Sequence, residues 1–252
     1  MKKELLFAFT AFFFMSLSAI TGAYALGKEE EETIIYHNKV DLLLDGNDET
    51  IQLKGISNQE EKELYKEVVL EVVDKNGDKK NIHLEGGYRP TLQLVTLDKD
   101  KNPLLFIKVL TDEKGSKTNY YLYTCLKNEL KEIEIPELPS IASQLKTDYK
   151  AELTIEGQKT YSFDLFDRKK QYEKLGVYHN GQLNEPTELI VQPYASLSNI
   201  SYHQKFALKG KQKISGVSET DTIAYLETIW TRHKNEWKLE KIKMKEISKK
   251  EQ

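Results

Sequence analysis

The chain has 252 residues, 37 basic and 40 acidic side chains for a net charge of −3, and one cysteine. A near-neutral balance with interspersed signs supplies no long-range field for a polyanion, so nucleic acid is not an expected partner. A lone thiol excludes an intramolecular disulfide, and stability must come from an ordinary core.

Lys2 and Lys3 precede an apolar run from Leu5 to about Ile20, and Ala23-Tyr24-Ala25 supplies small-x-small cleavage chemistry. Residues 1–25 therefore read as an export signal cut after Ala25. The run is shorter than the roughly 20 apolar residues that span a bilayer, so no integral membrane segment is expected after cleavage. The expected product is secreted, extracellular or associated with the cell wall. It keeps 35 basic and 39 acidic residues, a net charge of −4, once Lys2, Lys3 and Glu4 are gone. Its 227 residues suffice for one large or two small domains.

After an acidic leader at residues 28–32, the first chemically specific segment is Asp41-Leu-Leu-Leu-Asp45-Gly46-Asn47-Asp48-Glu49. It reads as a strand running into an acidic glycine turn. Calcium takes six to eight oxygens, and Asp41, Asp45, Asn47, Asp48 and Glu49 offer several. Leu43 stands where a further ligating oxygen is wanted, so any calcium site is expected to be weak or completed elsewhere. The competing reading is a tight turn whose Asx side chains bond nearby amides.

Strand candidates then alternate with turn chemistry. Val68–Val73 and Ile82–Leu84 flank Asn76-Gly77, which accepts positive φ and reads as a hairpin. Residues 120–126 and 130–135 flank Lys127-Asn128-Glu129; 152–155 and 160–165 flank Glu156-Gly157-Gln158; 222–232 and 237–239 flank His233 to Glu236. Leu104–Leu110 and Ile223–Trp230 are apolar on both faces, as central strands are. Trp237 and Leu239 fall on one strand face and Ile242 and Met244 on the other, which predicts a bulge near Lys241 or else a short helix. Short helices are expected at Ser140–Lys146 and at Asp167–Leu175, the latter ended by Gly176.

The expected class is mainly β: an antiparallel meander, as propeller-like blades or two packed sheets, with one or two short helices. Pro136 and Pro139 suggest a boundary between an N-terminal lobe, 26–135, and a C-terminal lobe, 136–252, although one continuous domain fits as well.

No catalytic signature is legible. The five histidines are scattered without metal spacing, Cys125 sits in an apolar strand, and no nucleophile elbow, phosphate loop or dinucleotide fingerprint occurs. Tyrosines, among them Tyr120, Tyr121 and Tyr123, are expected mainly in the core, with stacking on sugars as the alternative. Lysines from Lys238 onward read as a solvated face or a dock for anionic wall polymer.

At Glu85-Gly86-Gly87-Tyr88-Arg89-Pro90, followed by Leu97-Asp98-Lys-Asp100, Leu104–Leu110, Gly115-Ser116 and Tyr120–Tyr123, the chain resembles secreted VCBS or FG-GAP-like repeat proteins of Gram-positive spore-forming bacteria. The resemblance continues through Gly176–Leu183, Gln212–Gly216 and Trp230–Leu239. It implies extracellular, blade-like β structure. The second acidic turn departs from the pattern, with Thr96 and Leu104 where further aspartates are usual.

The expected function is therefore a non-enzymatic binding or structural role, with a cell-wall polymer or a surface protein as partner. A secreted hydrolase acting on wall polymer through an unlocated carboxylate pair is the alternative.

Overall fold

The computed structural model describes residues 31–58, 61, 63–95, 102–156, 159–233 and 235–247. The expected export signal (1–25) and the second acidic turn, Asp98 and Asp100, lie outside these residues. Among the described residues no helix is long and apolar enough to cross a membrane.

The protein is mainly β, and every strand pairs with its neighbour in sequence. The first sheet is a seven-stranded antiparallel meander of β1 (Glu32–Val40), β2 (Glu49–Ser57), β3 (Leu64–Val73), β4 (Lys79–Val95), β5 (Leu104–Leu110), β6 (Thr118–Leu126) and β7 (Glu129–Glu132). Its turns follow residue chemistry. The β3–β4 loop places Gly77 at φ 86°, and Asp74 accepts the Asn76 and Asp78 amides at 2.8 and 3.0 Å. Lys127 and Asn128, at φ 51° and 62°, form the two-residue β6–β7 turn with both centres left-handed.

The 17-residue β4 gives the sheet its shape. Its first half pairs with β3 and its second half with β5, with a register shift between Tyr88 and Thr91. The corner is Gly86-Gly87. A Cβ on Gly86 would overlap the backbone of Tyr65 and Lys66, and one on Gly87 the Leu110 carbonyl. Only residues without a side chain let the strands approach this closely. The sheet thus folds over one apolar core drawn from all seven strands, with Ile51, Leu53, Leu70, Leu105, Ile107 and Val109 near its centre. Each such side chain contributes roughly 2 kcal/mol by leaving water.

The second half holds three smaller sheets. β8 (Ile141–Lys146), β9 (Lys150–Ile155) and β10 (Lys159–Asp164) form one; β11 (Tyr178–His179) and β12 (Gln182–Leu183) form a short hairpin; β13 (Ile190–Tyr202), β14 (Lys205–Ser215), β15 (Thr222–His233) and β16 (Glu236–Glu246) form the third. The helix expected at Ser140–Lys146 is instead β8. Ile141, Ser143 and Leu145 face inward, opposite Ile155, Leu153 and Ala151 of β9, and this cross-strand packing overrides the local helical spacing. The second expected helix exists: a 3-10 turn, Phe166–Arg168, leads into α1 (Lys169–Lys174), and Gly176 follows at φ 72°. The bulge near Lys241 is present as well. Trp230 pairs with Leu239 and Ile229 with Lys241, so Glu240 is the extra residue, and Leu239, Ile242 and Met244 all turn inward.

The inner face of the β13–β16 sheet covers two neighbours. Ile214, Ala224 and Leu226 pack with Leu153, Ile155 and Phe163 of the three-stranded sheet. Leu197 and Leu208 pack with Phe106, Leu122 and Ile133 of the first half. The two halves therefore share a core, and the Leu197 amide donates to the Tyr120 hydroxyl at 3.0 Å across it. Of the two arrangements expected from sequence, packed sheets describe this architecture. In both large sheets a tyrosine lies diagonally across a glycine of the next strand, Tyr65 over Gly55 and Tyr194 over Gly210, and fills the space where a Cβ would stand.

One buried polar cluster fastens α1 to the last sheet. Arg168, 2% exposed, donates from Nε to Asp221 Oδ1 at 3.0 Å and from Nη2 to the Thr222 carbonyl at 3.1 Å. The Tyr172 hydroxyl donates to Asp221 Oδ2 at 2.5 Å. Gly216 is required here, because a Cβ would overlap both the Tyr172 hydroxyl and the Asp221 carboxylate.

Candidate functional site: a groove where the two halves meet

The acidic segment singled out by sequence is a loop between β1 and β2; the strand expected to run into it ends at Val40. Asp41 accepts the Asp45 and Gly46 amides at 3.0 and 2.8 Å. Asp45 accepts the Asn47 amide at 2.9 Å and lies 3.4 Å from the Lys75 ammonium, and these contacts, the Asn47 ones foremost, hold its carboxyl below the usual range. Glu49 is buried, accepts the Leu42 amide at 2.8 Å, and is pushed up chiefly by desolvation. Asp48 is exposed. Leu43 packs on the first core. Both oxygens of Asp41 thus accept from backbone donors, an Asx-type arrangement that braces the loop. Among the described residues no group of three or more His, Cys, Asp or Glu side chains is arranged to hold a metal ion.

A different place gathers chemistry. Between the 133–140 connection and the β15–β16 hairpin runs a groove of about 590 Å³, lined by Glu132, Glu134 and Glu137 on one side and by Trp230, Arg232 and Trp237 on the other. A second depression of about 600 Å³ shares Glu156, Trp230 and Trp237 with it and extends along β16. Local folding explains how each residue gets there. Ile133, Pro136 and Pro139 are buried, so the connection lies flat and its glutamates point outward. The β15–β16 turn, with Asn235 at φ 74°, brings Trp237 opposite Arg232 in register.

The Trp237 indole donates to the Glu134 carbonyl at 2.7 Å, and its ring lies 6.0 Å from Phe206. The Trp230 indole donates to Thr228 Oγ1 at 3.0 Å. The Ser140 amide binds Glu156 at 2.8 Å, fixing a carboxylate at the rim. Arg232 differs from these. Its buried Nε has no hydrogen-bond partner, and burial lowers its proton affinity. Leaving a guanidinium N–H unsatisfied costs about 1–3 kcal/mol.

Sequence reasoning passed over this site because its residues come from three separated segments. One signal was present: the chain has only three arginines among its 37 basic residues. Arg89 sits at the β4 corner and donates to the Glu113 carbonyl, Arg168 anchors the buried cluster, and Arg232 enters the groove. The tyrosines fall where expected. None of those described is exposed, Tyr121 and Tyr123 enter the first core, and Tyr120 points to the core shared by the two halves. Cys125 is buried, and desolvation raises its thiol above the ordinary range. His37 and His83 meet Gln52 and Glu67 at 3.0 and 2.8 Å as ordinary cross-strand partners.

Residues 139–245 match the family model described as the YybI C-terminal domain. The match runs from the second proline of the connection into β16, and so includes the tryptophans and Arg232 but not Glu132, Glu134 or Glu137. No curated protein and no solved structure matches the chain.

Proposed function

We propose that the chain is a secreted, non-enzymatic β protein that binds a glycan segment of cell-wall polymer in this groove. The observation carrying the proposal is the groove itself, walled by Trp230, Trp237 and Arg232 and rimmed by carboxylates. Sugar rings present apolar C–H faces that pack on indoles, and hydroxyls that accept from guanidinium N–H and donate to carboxylates. The expected export signal and the resemblance to secreted repeat proteins support an extracellular setting.

Both tryptophans of the chain line the groove, so tryptophan emission reports this site. Titration with soluble wall-glycan fragments is expected to shift the emission of the wild type and not that of Arg232→Ala. An unchanged spectrum at millimolar fragment, or an equal shift in both proteins, refutes the reading.

The concentration of Glu132, Glu134, Glu137, Glu156 and Glu236 along the same groove favours one second reading, a hydrolase using two of them. Incubation with dye-labelled cell walls separates the two: retention without dye release is expected of a binding protein, and release that a Glu→Gln substitution in the groove abolishes identifies the enzyme.

A further inference from the structure

The outer face of the β13–β16 sheet carries an ordered array of lysines. Register places them in three transverse ladders: Lys213, Tyr225 and Lys245; Lys211, Glu227 and Lys243; Lys209, Ile229 and Lys241. In every ladder both flanks are lysine, so two parallel rows run along β14 and β16. Spacing within a row is about 6.8 Å and between rows about 9.6 Å, from the ordinary strand rise and strand separation. The β16 lysines are exposed and those of β14 half-buried. Glu227 is the only acidic residue within the three ladders. Its carboxyl is held below its usual range first by the ion pair with Lys209 at 3.1 Å and then by Lys243 and Lys211, which places all three cations around one anion. Glu240 lies in the bulge beside the array, occupied by Thr231 at 2.9 Å and Lys238 at 3.3 Å. A chain with net charge −3 has thus concentrated cations on one sheet face.

We infer that this face docks a linear polyol-phosphate polymer, its phosphodiesters lying along the lysine rows. Charge complementarity carries the choice, and two further observations direct it. The exposed large hydrophobic residues among those described, Ile34, Leu44, Leu126, Leu138, Phe166 and Leu175, all lie off this face, whereas a membrane-surface binder inserts such residues. Tyr225, the aromatic residue between the rows, is covered by the Lys211 ammonium 3.8 Å above its ring, and single-stranded nucleic acid needs open aromatics for stacking. What remains is recognition of a charged backbone. Ammonium groups serve this purpose as point charges on flexible stems that need no fixed fork.

Binding of purified poly(glycerol phosphate) to the whole protein, measured by calorimetry across a salt series, tests this inference. Six lysine–phosphate contacts predict a log–log salt slope of about −4, so affinity falls roughly 300-fold between 50 and 200 mM salt. The triple variant Lys211→Gln, Lys243→Gln, Lys245→Gln is expected to halve that slope, whereas Lys39→Gln, Lys114→Gln, Lys174→Gln, which leaves the array intact, keeps it. Glu227→Gln removes the one carboxylate in the ladders and is expected to tighten binding severalfold. Equal slopes in the two triple variants overturn the inference, as does tighter binding to phosphatidylglycerol vesicles or to oligo(dT) than to the polymer. Arg232→Ala leaves this binding unchanged, so failure here and failure of the groove reading are separately visible.

Discussion

Replacing Asp221 by alanine removes the acceptor at the centre of the buried cluster. Arg168 Nε at 3.0 Å, the Tyr172 hydroxyl at 2.5 Å and the Val217 amide at 3.4 Å all lose their partner. Stranding one member of a buried ion pair costs about 3–5 kcal/mol. The guanidinium is not wholly abandoned, because it keeps Asp167 at 2.7 Å and the Thr222 carbonyl at 3.1 Å, but the Asp167 side chain is 41% exposed and a weaker counterion. The expected loss is therefore at the lower end, about 3 kcal/mol, against about 2 kcal/mol for Tyr172→Phe, which removes one hydrogen bond to a charge. Urea denaturation followed by circular dichroism measures it, with an unchanged m-value showing that the unfolded state is the same. In the double variant Arg168→Met, Asp221→Ala no charge is left stranded, and a coupling of about 2 kcal/mol is expected. An Asp221→Ala loss below about 1 kcal/mol, or additive single losses, would refute the account of this cluster.

Three further outcomes are expected. Gly86→Ala forces a Cβ into the Tyr65 backbone at the β4 corner and costs about 3 kcal/mol or prevents folding, whereas Gly46→Ala, with open space around its Cβ, is milder; comparable thermal midpoints would remove the corner's significance. Asp112, bonded by the Ser116 hydroxyl and amide and by the Lys117 amide, is lowered from 3.8 to about 2. This folded value lies below the unfolded one, so its stabilisation is complete above about pH 4 and is lost as pH falls toward 2; carboxyl NMR should give a midpoint near 2 that Ser116→Ala moves back up. Asp41→Ala frees two loop amides and should lower the melting temperature by about 2–4 °C, equally with chelator and with millimolar calcium; a calcium-dependent rise in the wild type that Asp45→Ala abolishes would show a metal role for the loop.

Turn chemistry made much of the meander legible. Gly77, Lys127-Asn128 and Asn235 take positive φ where a hairpin was expected, because that conformation selects a few residue types. The β16 bulge was legible for a related reason: Leu239 and Ile242 cannot share one face of a regular strand. Ser140–Lys146 was misread because Ile141 and Leu145 satisfy both a helical and an alternating pattern, and only β9 decides between them. The Gly86-Gly87 pair was noticed as part of a resemblance, but that it folds the sheet depends on the approach of Tyr65 and Leu110, which are remote in sequence. The groove was hidden for the same reason. Half of the lysine array was legible, as the run from Lys238 onward; its other half, Lys209, Lys211 and Lys213, was not, because only the antiparallel register brings the two rows onto one face.

The unbroken neighbour-to-neighbour pairing bears on how the chain assembles. With no crossover in any sheet among the described residues, each strand can add to a partner already laid down, and the loop to be closed at each step stays short. A chain emerging from its N-terminus could build the first sheet strand by strand without waiting for its other end. Large sequence separation enters where the last sheet packs on Leu153 and Ile155 and, most of all, in the docking of Leu197 and Leu208 on Phe106 and Leu122. That docking also completes the walls of the groove. The capacity to bind there should therefore appear in the last kinetic phase of refolding, after most of the sheet signal has returned.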